Sequence, residues 1–192
     1  MGCKSPPRYN RIIVLLEGVI NIIVLIGHSA SGKSTIENKL IERGYKKIVS
    51  YTTRPPRKGE IDGIDYHFIT EADFKAMKIS NKLAESVQYR DWHYGIAKED
   101  CLDDRVVIVE PSGMRDLKQI DGLNIVSFFI NSPERERLIR MAKRGDEIME
   151  IFRRIISDSG TFKNVEKEVD FVINNQDLDK AVDEIIEKIE KG

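Results

Sequence analysis

The segment Gly27 to Ser34 reads GHSASGKS, and it constrains the fold of this chain more than any other stretch. It matches the pattern G-x-x-x-x-G-K-[ST] in full, and it lies between a β-rich apolar run at residues 22–26 and a predicted helix over 33–43. In that context the glycines let backbone N–H groups converge on a phosphate, and the helix N-terminus adds partial positive charge. The pattern predicts a loop that binds a nucleoside triphosphate. It leaves the acceptor open, since a hydrolase or a switch protein would carry the same loop.

The loop also predicts individual contacts to the nucleotide. Lys33 is expected to reach the β and γ oxygens of ATP, and Ser34 to offer its hydroxyl to Mg²⁺ as the predicted metal contact. The predicted nucleotide-binding residues of the loop are Gly27, Ser29, Ala30, Ser31, Gly32, Lys33, Ser34 and Thr35.

A second segment, SYTTRPPRKGEIDGIDYHF at residues 50–68, places Arg54 and Arg57 on either side of a proline pair. Proline fixes φ, and the residue before a proline avoids the helical region, so this stretch is predicted to be extended and close to polyproline II. With three residues per turn, the two arginines point to the same side, roughly 9 Å apart along the axis. They are predicted to hold one phosphate with bidentate bonds, helped by the hydroxyls of Tyr66 and Tyr94.

Two other interpretations of the arginine segment compete with a phosphate site. One is a solvated basic loop, and the other is a proline-rich ligand for a peptide-binding module. The phosphate loop upstream favours a second phosphate site over both.

Strand and helix patterns alternate along the chain, which predicts a parallel sheet covered by helices. The Asp62-Gly63 dipeptide predicts a tight turn, and Thr70-x-x-Asp73 predicts a helix start. Strands are predicted at residues 22–26, 47–51, 106–109, 124–130 and 170–173. Helices are predicted at residues 33–43, 70–77 and 133–143, within the polar stretch 144–168, and from 177 to the C-terminus.

The segment VSYTTRPPRKGEIDGIDYHF resembles the monophosphate-binding segment of guanylate kinases, which usually reads S-x-T-T-R-x-x-R-x-G-E-x-x-G-x-x-Y-x-F. The resemblance continues through Glu85, Tyr94-Gly95, the Arg-Gly pair at 144–145 and Asn174. It covers roughly residues 20–190, and the T-T-R-x-x-R-x-G-E string is more specific than the phosphate loop.

The resemblance implies a role for each matching residue. Arg54, Arg57, Tyr66 and Tyr94 would bind the phosphate of GMP, while Ser50 and Glu85 would meet the guanine edge. A carboxylate at Glu85 can accept from both N1–H and the N2 amino group of guanine, a pair that adenine does not offer. On the ATP side, Arg140, Arg144 and one of Arg153 or Arg154 would line the phosphates, and Asn174 would lie near the adenine.

The resemblance further implies an α/β P-loop kinase with a parallel β-sheet core flanked by helices, an inserted GMP-binding lobe and a helical lid. The expected core comprises residues 20–49, 98–132 and 166–192. The lobe is expected at about 50–97 and the lid at about 133–165, with residues 1–19 as an extension of unread role.

The chain departs from the usual family pattern in three places. Where guanylate kinases usually carry D-x-D-x-Q-G, this chain has isoleucine at 108 and glutamate at 110, and Glu110 is expected to keep part of the acidic role on the substrate side. Ile96 replaces a usual serine near the base, and the lid is about one residue short after Arg144. These changes affect the expected metal geometry and acceptor contacts.

The predicted reaction is transfer of the γ-phosphoryl group of ATP to the phosphate of GMP or dGMP, with Lys33, Arg54, Arg57, Arg140 and Arg144 as the catalytic cations. One alternative is a related kinase with a different small phosphorylated acceptor. The other is a guanylate kinase-like module that binds a protein without catalysis.

Charge and composition restrict the partners. The net charge of -1 argues against a nucleic-acid binder, and two cysteines without metal-ligand spacing fit a reducing cytoplasm. The apolar run at 12–27 is interrupted by Glu17 and Asn21 and is shorter than the ~20 residues of a membrane span. The start MGCKSP has proline where the myristoylation pattern needs serine or threonine. We therefore expect ATP and GMP as partners, and no membrane; the sequence leaves the oligomeric state open.

Overall fold

The computed structural model of the chain describes residues 20–57, 59–89 and 91–191. The predictions made for residues 1–19 lie outside the described residues.

A parallel sheet forms the centre of the molecule, in the order β2-β7-β1-β8-β9. The central strand β1 is rich in isoleucine and valine and is buried on both faces, as strands of a covered parallel sheet are. It pairs in parallel with β7 on one side and with β8 on the other. The strands of this sheet are β1 (Ile20–Ile26), β2 (Lys46–Lys47), β7 (Arg105–Ile108), β8 (Leu123–Asn131) and β9 (Phe171–Asn174).

Helices cover both faces of this sheet. Ile22, Val24 and Ile26 point to one face and pack in a core with residues of α3, while Ile23 and Leu25 point to the other and pack with α1 and α6. The helices are α1 (Lys33–Glu42), α2 (Glu71–Ile79), α3 (Pro111–Leu117), α4 (Glu134–Arg144), α5 (Ile148–Thr161) and α6 (Leu178–Lys191). The predicted α/β class with a parallel, helix-flanked sheet is confirmed.

A smaller second sheet has the order β4-β3-β6-β5. Its strands β5 and β6 form an antiparallel hairpin that the sequence analysis did not predict. The strands are β3 (Tyr51–Thr52), β4 (His67–Phe68), β5 (Leu83–Tyr89) and β6 (Trp92–Ala97).

The predicted strand at 47–51 is wrong as a single element. The N–H of Ile48 still bonds to the core sheet through Val106 O at 2.9 Å, whereas the carbonyl of Ser50 accepts from His67 N of the second sheet. The chain therefore changes sheets between these residues, because each half of the apolar pattern finds a different partner strand.

The residues that mark the ends of helices predicted the structure better than the strand pattern at 47–51 did. Thr70 Oγ1 accepts from Asp73 N at 3.1 Å and caps α2, which runs two residues further than predicted. Gly44 follows α1 with φ +101°, a conformation that favours glycine. No helix among the described residues combines the length and apolar character needed to cross a membrane.

Candidate functional site

The phosphate loop connects the carboxyl end of β1 to α1, and two of its glycines are required by its shape. Gly32 has φ +100°, and a Cβ there would lie 2.2 Å from Asn175 Nδ2. Gly27 has φ +153°, and a Cβ there would lie 2.5 Å from Ile130 O. The backbone of the loop thus passes too close to its neighbours for any side chain at these two positions.

Polar side chains that are distant in sequence brace the loop through the carbonyl of Ser31. That oxygen accepts from Asn175 Nδ2 at 2.8 Å, from Ser132 Oγ at 3.0 Å and from Arg140 NH1 at 3.1 Å. Arg140 NH1 also lies 3.2 Å from Ala30 O. Arg140, predicted from the sequence to line the ATP phosphates, is here a support for the loop backbone.

Asn175 is a loop contact that the sequence did not predict, since the resemblance pointed to Asn174. Asn175 is buried against the loop, whereas Asn174 is exposed and accepts a hydrogen bond from Asn131 Nδ2 at 3.1 Å. The two asparagines follow one another at the end of β9, so the pattern alone does not show which one faces inward.

Lys33 folds back onto the loop that carries it. Its Nζ donates to Gly27 O at 2.5 Å and to His28 O at 3.0 Å. Burial lowers the pKa of Lys33 to about 8, against the opposing effect of the nearby carboxylates of Glu110 and Asp158. Burial raises the pKa of Glu110, and Lys33 counteracts this. Glu110 therefore lies within electrostatic range of Lys33.

Asp158 on α5 contacts the loop directly. Its carboxylate accepts from Ser29 N at 2.7 Å and from Ser29 Oγ at 3.2 Å, and it lies 3.6 Å from Arg137 NH1 of α4. Neither Asp158 nor Arg137 was predicted as a site residue, because no motif marks them and their pairing depends on the packing of α4 against α5.

Ser34 and Thr35 are exposed on the first turn of α1, next to this cluster. Ser31 is buried, and its N–H bonds within the loop to His28 O at 3.2 Å. Across the described ranges, no group of three or more His, Cys, Asp and Glu side chains is arranged to hold a metal ion.

The arginine segment is organised by Glu60. One oxygen of Glu60 accepts from Arg54 NH2 at 2.8 Å, and the other accepts from Arg57 N at 2.6 Å. The hydrogen bond from Arg54 lowers the pKa of Glu60. Arg54 is buried, with Cζ 5.5 Å from the centre of the Tyr66 ring, while the side chain of Arg57 is exposed.

Tyr66 and Tyr94 lie together beside Arg54, as the sequence predicted for a monophosphate site. Their ring centres are 6.0 Å apart in an edge-to-face arrangement. The position of Tyr94 on β6 places it two residues from Ile96, so the two side chains share one face of the second sheet.

Glu85 lies on that same face, because β5 pairs it with Ile96 of β6. Glu85 is buried, and within the described part of the chain its Oε2 has no hydrogen-bond partner. Burial, with a contribution from Asp116, raises the pKa of Glu85 to about 7. A buried carboxylate oxygen without a donor indicates a position that a ligand's N–H groups can fill.

Ile96 is fully buried and packs in the hydrophobic core. Where the family usually has a serine hydroxyl next to Glu85, this chain therefore has an apolar side chain that packs in the core. Ser50 is half-buried at the start of the arginine segment.

The lid arginines are held by acidic residues of their own segment. Arg144 Nε donates to Asp146 Oδ1 at 2.8 Å, and Arg154 Nε donates to Glu150 Oε1 at 3.0 Å. Arg153 Nε donates to the other oxygen of Glu150 at 2.8 Å.

Asp146 is influenced electrostatically by arginines of both segments. Its pKa is lowered first by the hydrogen bonds from Arg144, and Arg154 and Arg57 lower it further. Arg144 contacts this carboxylate directly, and Arg154 and Arg57 lie within electrostatic range of it.

Comparisons with known proteins identify the family of this chain. The sequence model of the family described as "Guanylate kinase" matches residues 20–192. The "Guanylate kinase" of Wolbachia pipientis wMel is 36% identical over 179 residues, which cover 88% of each chain. That of Caldanaerobacter subterraneus subsp. tengcongensis is 34% identical over 173 residues, covering 85% of this chain and 84% of the relative.

A solved structure is also similar. The crystal structure of guanylate kinase from Anaplasma phagocytophilum superposes with a TM-score of 0.71 at 28% identity, covering 92% of this chain and 88% of that one.

Proposed function

The chain belongs to the guanylate kinase family and is an ATP-dependent guanylate kinase, and we propose that its two anion sites hold the phosphates of ATP and of GMP or dGMP across one cleft. One observation carries the proposal. Tyr94, which lies beside Tyr66 and Arg54, shares a sheet face with Glu85 and its unpartnered carboxylate oxygen, and a complete phosphate loop belongs to the same fold.

The ATP phosphates bind in the loop from Gly27 to Thr35. The amide groups at the start of α1 supply hydrogen bonds and partial positive charge, and Lys33 supplies a full charge. For Lys33 to reach a phosphate, its Nζ exchanges the carbonyls of Gly27 and His28 for phosphate oxygens. Asn174 remains the proposed neighbour of the adenine.

The available oxygen donors fit a Mg²⁺ ion that enters with ATP. Ser34 offers a hydroxyl oxygen, and Glu110, which lies near Lys33, offers a carboxylate. Both are oxygen ligands of the kind that Mg²⁺ prefers. Mg²⁺ usually takes one or two protein ligands and completes its coordination shell with phosphate oxygens and water. This agrees with the described residues, which form no cluster of three or more His, Cys, Asp and Glu side chains. When bound, the ion neutralises charge on the phosphates.

GMP binds with its phosphate between Arg54, Arg57 and the two tyrosines, and with its guanine at Glu85. Tyr94 and Glu85 lie at different positions along one sheet face, which separates a phosphate subsite from a base subsite. Glu85 accepts from N1–H and the N2 amino group of guanine, and Ser50 meets the same edge of the base. A site with a buried acceptor discriminates strongly against a base that leaves it unpaired.

The protein's main catalytic contribution is positioning and charge neutralisation. Two anionic phosphates must approach in line, and their repulsion is offset by Lys33, Arg54, Arg57 and the lid arginines. The acceptor phosphate is already ionised at neutral pH, so no general base is required. Arg140 holds the loop in shape, and Arg144 reaches the phosphates by exchanging Asp146 for them.

The lobe at 50–97 and the lid at 133–165 close over the substrates and exclude water, which would otherwise hydrolyse ATP. Arg57 contributes to the lowered pKa of Asp146, so the arginine segment already lies within electrostatic range of the lid. Small-angle scattering should show compaction when a bisubstrate analogue binds, and an unchanged radius would contradict closure.

The isoleucine at position 108 leaves Glu110 as the acid that organises the nucleotide. Ile108 packs against the hydrophobic core on the α1 side of the sheet. Glu110 lies close enough to Lys33 for the two to interact electrostatically.

An acceptor panel of GMP, dGMP, AMP, CMP and UMP in an ADP-release assay tests the assignment. We expect turnover with GMP and dGMP and little with the others. Activity on AMP without activity on GMP would overturn the role of Glu85, and failure to bind ATP by calorimetry would overturn the enzyme assignment.

A further inference from the structure

A carboxylate of the protein occupies part of the phosphate loop. Asp158 accepts hydrogen bonds from both the N–H and the hydroxyl of Ser29, at 2.7 and 3.2 Å. Ser29 is the third residue of the loop, and its amide is among those expected to face a phosphate. A carboxylate oxygen therefore takes the place at this amide that a phosphate oxygen would take.

Arg137 completes the arrangement from the neighbouring helix. Its NH1 lies 3.6 Å from Asp158 Oδ2, and both side chains are buried, at 8% and 11% exposure. Among the residues that the structure describes, Nε and NH1 of Arg137 have no hydrogen-bond partner. A buried guanidinium with unused donors beside a phosphate loop indicates an anion that it is built to meet.

The same two residues influence the catalytic lysine. Asp158 raises and Arg137 lowers the pKa of Lys33, so both lie within electrostatic range of its ammonium group. Asp158 thus contacts Ser29 and Arg137 directly and lies within electrostatic range of Lys33, three groups of the kinds that bind a phosphate.

We propose that Asp158 holds the place of a phosphate oxygen before ATP binds, and that Arg137 transfers its pairing from Asp158 to the ATP phosphate. The proposal rests on the proposed function, since it assumes that ATP binds at this loop. Two anions do not share one set of donors, so ATP must displace the carboxylate. Because Asp158 belongs to α5, displacement releases that helix from the loop and couples ATP binding to movement of the lid.

The alternative is a fixed brace, in which Asp158 keeps Ser29 in position and Arg137 only neutralises Asp158. The two models predict opposite effects on ATP affinity. In the proposed model, loss of the charge at 158 removes a competitor. In the brace model, it weakens the loop.

The experiment measures Mg²⁺–ATP, AMP and GMP binding by titration calorimetry with the full-length chain. The variants are Asp158→Asn, Arg137→Leu, the double variant and Asp158→Asn with Arg137→Lys. Glu147→Gln is the matched control, because it removes an exposed acidic charge at the start of α5 without touching the loop.

Asp158→Asn is expected to bind ATP about tenfold more tightly, with AMP unchanged, since a charged hydrogen-bonded competitor is removed only from the phosphate subsite. The double variant is expected to lose at least about tenfold relative to Asp158→Asn, and Arg137→Lys to restore part of that loss. The double variant avoids a buried unpaired charge, so it tests Arg137 even if Arg137→Leu alone does not fold.

Weaker ATP binding by Asp158→Asn would overturn the proposal. An equal gain in affinity for AMP would also overturn it, as would an ATP affinity that Arg137→Leu leaves unchanged in the Asp158→Asn background. Glu147→Gln should match the wild-type chain, and a gain there equal to that of Asp158→Asn would also contradict it. Wild-type turnover of GMP in the same preparation separates this failure from failure of the kinase assignment.

Discussion

The carboxylate of Glu85 lies directly against Gly113 of α3. A Cβ added to Gly113 would lie 3.0 Å from Glu85 Oε2 and 3.3 Å from its Cδ. The glycine leaves room for the carboxylate whose unpartnered oxygen is the proposed contact to guanine.

Gly113→Ala should therefore displace Glu85 and impair the use of GMP. We expect kcat/KM for GMP to fall about ten- to a hundredfold while KM for ATP stays unchanged, because small displacements in a positioned site have large effects. Gly160→Ala is a matched control, since that glycine also lies in a helix and its added Cβ would meet open space. An equal loss with both variants would contradict the argument.

Glu85→Gln should stabilise the protein while it removes the preference for guanine. The folded pKa of Glu85 is raised from 4.5 to about 7, so the folded state holds an extra proton between those values and stability falls as pH rises through that window. Above pH 7 the neutral glutamine should raise the free energy of unfolding by on the order of 1–3 kcal/mol. Urea unfolding at pH 8 and at pH 4.5 measures this, and a gain of equal size at both pH values would contradict the assignment.

The two arginines of the segment should behave differently on substitution. Arg54→Ala removes the guanidinium that pairs with the half-buried Glu60, which keeps only its hydrogen bond from Arg57 N, and should cost roughly 1–3 kcal/mol of stability as well as GMP affinity. Arg57→Ala, at an exposed position, should weaken GMP and slow transfer with a stability change within about 0.5 kcal/mol. Thermal unfolding and steady-state kinetics on both variants measure the difference. Unchanged GMP kinetics in Arg57→Ala would exclude it from the phosphate site.

Lys33→Ala should reduce turnover by about a hundred- to a thousandfold and leave GMP binding largely intact, because the lysine acts on the charge that develops during transfer. In the wild-type chain, kcat/KM for ATP should fall as pH rises above 8, since the free enzyme loses the Lys33 proton near that value. Lys39→Ala, which removes an exposed lysine from the same helix, serves as the control. A flat ATP profile between pH 7 and 10 would contradict the pKa argument.

Asn175→Ala and Asn174→Ala should distinguish a residue that supports the phosphate loop from an adjacent residue that contacts ATP. Asn175→Ala removes the donor to Ser31 O and should cost about 1–3 kcal/mol of stability and raise KM for ATP. Asn174→Ala should raise KM for ATP without a comparable loss of stability, because that side chain is exposed. Melting temperature and ATP kinetics decide between them, and equal destabilisation by both would contradict the assigned supporting role of Asn175.

The sequence predicted the parts of the site that are encoded locally. The phosphate loop was found because its glycines, lysine and serine are contiguous between a strand and a helix. The helix cap at Thr70 was likewise predicted from neighbouring residues and is present. Parallel strands buried on both faces were visible as continuous apolar runs.

Contacts made by packing were not predictable in the same way. The pairing of Arg137 with Asp158 requires α4 and α5 to lie side by side, and nothing in either segment specifies the other. The hairpin of β5 and β6 was missed because residues 83–97 mix apolar and polar side chains without a clear two-residue alternation. Its irregular register, shifted between Leu83 and Glu85, accounts for part of that weak pattern.

The bracing of Ser31 from positions 132, 140 and 175 has a consequence for biosynthesis. A polypeptide emerging from the ribosome exposes Ser31 of the glycine-rich loop 144 residues before Asn175, the asparagine that fixes it. Nascent chains that stop short of that asparagine should carry the complete phosphate-loop motif without the side chain that holds its backbone, so kinase activity should appear only after residue 175 has been added.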